Sequence, residues 1–138
     1  MSNGFKDYLH DLRSDFENNF ELALDPIPDG WMKKIVPQLK DELFNALGSY
    51  ADEIEFYQIK QKFDELVVYW DFKDEEYFND YDHAELKELV PCIEDIIKKY
   101  KDISKNTCVV CGKPATYTTT WGYIAPFCDD CERNRSLF

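Results

Sequence analysis

Two Cys-x-x-Cys hooks, Cys108-Val-Val-Cys111 and Cys128-Asp-Asp-Cys131, separated by sixteen residues, constrain this chain more than any other feature. The spacing is that of a four-thiolate zinc site, because each hook bends the backbone so that two sulfurs face one cation. Gly112, just past the first hook, can take the positive φ that turns nearby amides toward the thiolates. Residues 115–120 and 123–127 are strand-like in composition on either side of Trp121-Gly122. They predict a β-ribbon whose return brings the hooks together. Seven residues follow Cys131, so a ribbon-like site is expected rather than one that ends in a long helix.

Four protein thiolates close a tetrahedron and leave no position for an activated water, which makes the expected Zn2+ structural rather than catalytic. A segment this small buries little apolar surface, so the metal should supply much of its folding energy, about 10 kcal/mol at neutral pH. The competing readings are two disulfides or a redox Cys-x-x-Cys. No apolar segment follows a basic N-terminus, which argues against a secreted, oxidised protein, and the duplication of the hook argues against a redox pair. No run of about 18 apolar residues predicts a membrane span. The expectation is a soluble cytoplasmic protein.

The hooks coincide with a shift in charge. Of 28 acidic and 16 basic residues, 25 and 12 lie in residues 1–104, and the whole chain carries a formal charge of -12. Residues 1–104 are therefore read as an acidic α+β body and residues 105–138 as a zinc-ribbon-like module. No Gly/Ser-rich or Pro-rich linker separates them, so the two are expected to pack together. Aromatic residues make up 16% of the chain, ample material for a core.

Within the body, Phe5, Tyr8, Leu9, Leu12, Phe16 and Phe20 recur at helical spacing and predict a helix over residues 3–24. A turn rich in proline follows at residues 25–30. Trp31, Ile35, Leu39, Leu43 and Leu47 predict a second helix, which Pro37 should restart or kink and Gly48 should end. Residues 54–59 and 63–72 read as two strands of an antiparallel hairpin joined around residues 60–62. On the second strand Leu66, Val68, Trp70 and Phe72 share one face. Leu86, Leu89, Ile93, Ile96, Ile97 and Tyr100 predict a third helix, with Pro91 as a kink. The expected architecture is α+β: helices packed on a short hairpin, followed by the four-cysteine ribbon.

Such acidity repels phosphate backbones and favours a protein partner with a basic surface. The preferred contact surface is the stretch Asp74, Glu75, Glu76, Tyr77, Phe78, Asp80, Tyr81 and Asp82, where carboxylates alternate with rings that can anchor a partner once desolvated. The plain alternative is a solvated loop. Calcium is discounted there because the glycine and terminal glutamate of a standard loop are missing. A nucleic-acid-binding zinc ribbon is the alternative function, with Arg133 and Arg135 on phosphates and Trp121 or Tyr123 stacking on a base. The carboxylates of Asp129, Asp130 and Glu132 oppose it. His10 and His83 lie beside no nucleophile, Cys92 reads as a small buried helix residue, and no acid/base pair is organised for hydrolysis, so a non-enzymatic role is expected. Exposed aromatic residues could also build a homodimer face.

Asp29-Gly30-Trp31, residues 58–63 leading into Leu66 and Tyr69, Cys108-x-x-Cys111-Gly112, Trp121 and Cys128-x-x-Cys131 together resemble a group of small bacterial and phage proteins. The likeness spans roughly residues 29–131. That group usually carries glycine and arginine where this chain has Asp64 and Val67, so a function resting on a basic hairpin position has no counterpart here. The resemblance implies a bacterial cytoplasm, or a host cytoplasm for a phage-encoded protein, and carries no reaction to transfer. With the acidity, it leads to the expectation of a zinc-stabilised protein-binding module, such as an inhibitor or immunity protein whose carboxylates occupy a site meant for phosphates.

Overall fold

The computed structural model describes residues 2–73, 84–118 and 124–133. Helix α1 (Ser2–Leu22) is followed by α2 (Asp29–Lys34) and α3 (Val36–Leu47), a short turn of 3₁₀ helix, and the hairpin β1 (Ile54–Lys62) and β2 (Glu65–Phe72). Then come α4 (Ala84–Glu88), α5 (Val90–Lys105), the short strands β3 (Tyr117–Thr118) and β4 (Pro126–Phe127), and α6 (Asp129–Arg133). The expected α+β class holds. Among the described residues no helix is long and apolar enough to cross a membrane.

The apolar stripe of α1 is buried from Leu12 onward, through Phe16 and Phe20, whereas Tyr8 and Leu9 are exposed. Phe16 and Phe20 meet Phe56 of β1 edge-on, with ring centroids 5.6 and 5.2 Å apart. This geometry sets the positive ring edge against the negative ring face. The expected second helix is two helices that break at Ile35. Pro37 lies in the first turn of α3, where its missing N–H costs no helical hydrogen bond. Pro91 likewise lies in the first turn of α5, after a break at Leu89, and does not kink that helix.

The hairpin turn is a correction. β1 continues through Lys62, which pairs with Glu65, so the chain reverses at Phe63-Asp64 and not at residues 60–62. Phe63 takes a φ of 59°, a left-handed conformation, while its ring is 62% exposed. A β-bulge at Tyr57 offsets the ladder between Phe56 and Gln58. Both outer edges of the hairpin are engaged. Along β1, Ile59 N–H donates to the Ala23 carbonyl at 2.8 Å, Asp25 N–H donates to the Ile59 carbonyl at 2.9 Å, and Asn19 Oδ1 accepts from Phe56 N–H. Along β2, the buried Ser104 Oγ of α5 accepts from Leu66 N–H at 2.9 Å and donates to the Lys101 carbonyl.

The buried side chains of α1, α2, α3, α5 and the hairpin form one cluster that also takes in Cys108, Val109, Ala125, Phe127 and Cys128. The cysteine segment thus shares the core of the helical part.

Candidate metal centre

The first hook grows directly out of α5. Thr107 Oγ1 donates to the Ile103 carbonyl at 2.7 Å, and Thr107 forms a bridge with Pro114 that closes the loop carrying Cys108 and Cys111. Cys108 N–H donates to the Lys113 carbonyl at 2.8 Å, and Gly112 N–H to the Cys108 carbonyl at 3.0 Å. Gly112 has a φ of 81°, as the sequence suggested for that position. The ribbon brings in the second hook: Val109 N–H donates to the Pro126 carbonyl, Thr116 N–H to the Phe127 carbonyl, and Tyr117 pairs with Phe127. Cys128 stands immediately before α6 and Cys131 within it, so the second hook is a turn of helix. Thr116 Oγ1 donates to Asp129 Oδ1 at 2.5 Å, which ties the residue before β3 to the first residue of that helix.

The four sulfurs of Cys108, Cys111, Cys128 and Cys131 lie within 4.8 Å of one another. Cys111 Sγ and Cys128 Sγ are 3.6 Å apart, and all four cysteines are free of disulfides. A tetrahedral ion with metal–sulfur bonds of about 2.3 Å requires sulfurs about 3.8 Å apart, so the cluster needs only small adjustments to hold one. Cys108 and Cys128 are buried, while Cys111 and Cys131 are half-buried.

Electrostatics distinguish the thiols. Burial opposes ionisation of Cys108, but the amides of Cys111, Cys128 and Val110 outweigh it and bring its pKa down to about 7. For Cys111 and Cys131 burial is the largest cause, neighbouring sulfurs add to it, and the pKa rises. Four thiolates at this separation therefore need a cation among them, and its binding displaces protons.

The body grips the first hook through Gly30 and Trp31. Gly30 N–H donates to the Val109 carbonyl at 2.8 Å. A Cβ on Gly30 would collide with the Cys108 carbonyl oxygen, lie 2.6 Å from Gly112 N and lie 2.9 Å from the Val109 carbonyl carbon. The wholly buried Trp31 donates from Nε1 to the Thr107 carbonyl at 2.9 Å. These supports were missed in the sequence as parts of the site, although Gly30-Trp31 and Gly112 stand together in the resemblance pattern. α2 and the first hook meet backbone to backbone.

The remaining sequence candidates fall elsewhere. The acidic stretch from Asp74 to Asp82, and with it His83, Trp121, Tyr123 and Arg135, lies outside the described residues. Arg133 is exposed and bonded to Asp130 Oδ1 at 2.7 Å. His10 is exposed on α1, 3.8 Å from Asp11. Cys92 is exposed on α5, not buried as expected, because the helix turns Ile93 inward at the next position. No known protein family, curated protein or solved structure matches the chain.

Proposed function

We propose that the chain is a non-enzymatic, zinc-stapled acidic module that binds a protein with a basic surface. The observation that carries the metal half is the convergence of four sulfurs within 4.8 Å, two of them on a loop docked by Gly30 and Trp31. Thiolate softness and tetrahedral geometry favour zinc, and a full set of protein ligands favours a structural role. The binding half rests on charge. The cations of Arg13, Lys40, Lys99, Lys101 and Lys105 face carboxylates of the same chain, so the surplus behind the net charge of -12 is left to solvent or to a partner. An inhibitor or immunity protein that occupies a phosphate-binding groove on a bacterial or phage-host protein suits that surplus, and the sequence stretch 74–82 is its proposed contact.

Elemental analysis of purified protein tests the first half, with one zinc per chain expected; iron, or no transition metal, overturns it. Titration against basic nucleic-acid-binding proteins at physiological salt tests the second. A stoichiometric complex that weakens with added salt is expected. Binding to nucleic acid under the same conditions would favour the alternative of a nucleic-acid-binding ribbon.

A further inference from the structure

The outward face of the hairpin has an order of charges that its register makes exact enough to test. Cross-strand partners share a face of a sheet. Counted from the Gln58–Tyr69 pair, Glu55–Asp71 lies two steps toward the open end of the hairpin, and Lys60–Val67 lies two steps toward the turn. Lys62–Glu65 follows two steps further on, where Glu65 is already engaged by Lys101 and Lys105. Glu55 and Asp71 are both exposed, and a like-charge pair directly across a ladder is destabilising on its own. At the centre Tyr57 and Tyr69 are 58% and 45% exposed, an aromatic patch on the side of the sheet away from the core.

We propose that this face binds a second copy of the chain through a two-fold axis that lies between the two sheets and crosses the strands at the Gln58–Tyr69 pair. Such an axis reverses strand direction and lays β1 over β1. Glu55 of each copy then faces Lys60 of the other, and the tyrosines meet at the axis. An isologous contact demands this kind of self-complementarity, in which each end of the patch answers the opposite end of its copy. A polyanion would be repelled at Glu55 and Asp71, and a wholly basic segment would be repelled at Lys60 and Lys62. The face of a two-stranded hairpin is smaller than the ~800 Å² per partner of a standard interface, so the dimer is weak.

Sedimentation equilibrium of the metal-loaded full chain between about 10 µM and 1 mM tests the proposal. The native protein is expected to pass from monomer to dimer across that range. Glu55→Lys and Lys60→Glu should each raise the dissociation constant by about tenfold or more, and the double variant should restore it. Glu55 is exposed and Lys60 is half-buried with its ammonium 5.9 Å from the Tyr69 ring, and circular dichroism confirms that each of the three variants is folded. A monomer at 1 mM overturns the proposal, as does a dimer that neither single reversal weakens. Recovery in the double variant distinguishes this face from any other, because only a contact between Glu55 and Lys60 is rebuilt by exchanging them.

Discussion

The two hooks have the same sequence pattern and different anchorage. The Cys108 hook issues from a long helix, closes on itself through Thr107 and Pro114, and is pressed against Gly30 and Trp31. The Cys128 hook is carried by a two-residue strand and a five-residue helix whose Asp129 and Asp130 are exposed. An isolated helix of that length is far below the size that holds itself together in water. A metal held by the four sulfurs would accordingly do different things at the two ends: at the first hook it would add to a loop the body already shapes, and at the second it would supply the main tie.

Removing the metal should break the pair apart, and this is the largest effect expected. On chelation, the amide protons of Thr116 and Glu132, which depend on Phe127 and Cys128, should exchange at least about a hundredfold faster, while that of Gly30, bonded to the Val109 carbonyl, stays protected. Equal loss at both hooks, read by hydrogen exchange, would erase the distinction. Gly30→Ala attacks the first hook instead. Its Cβ meets backbone on three sides, so about 3 kcal/mol of stability should be lost while one ion per chain is still bound; a normal denaturation midpoint would show that the clamp is slack.

Trp31→Phe keeps an aromatic ring but loses the pyrrole part of the indole with its N–H, so the bond to the Thr107 carbonyl goes and a buried acceptor is left unpaired. The expected cost is about 1–2 kcal/mol in urea denaturation, with metal content unchanged. Phe63→Gly acts far from either hook. A left-handed residue with a Cβ costs about 1–2 kcal/mol, part of which glycine returns as chain entropy, so a gain of about 0.5 kcal/mol is expected. That gain should be the same with and without metal, and a metal-dependent value would mean that hairpin and hooks are coupled more closely than their separate contacts indicate.

Much of this was legible in the residues. The ligands follow from spacing alone, since a Cys-x-x-Cys turn has few other uses when it occurs twice. The stripes of α1, α3 and α5 follow from period, because burial on one side of a helix leaves a mark every three or four positions. The turn at Phe63-Asp64 was not legible: no glycine or asparagine marks a left-handed residue there, and tertiary pairing imposed it on a phenylalanine. The break at Ile35 was hidden because the apolar spacing of four runs straight through it. Ser104 and Gly30 escaped notice for a common reason. Their roles are long-range bonds to Leu66 and Val109, and a bond across 38 or 79 positions leaves no local pattern.

The covering of β1 by residues 23–25 carries a consequence for handling the protein. A shortened chain that begins after Asp25 would present the amide and carbonyl of Ile59 to solvent, turning a sealed rim into a template on which another molecule's strand can grow. The segment that follows the first helix is then also a guard against fibril formation, and a truncation that removes residues 23–25 is a poor choice.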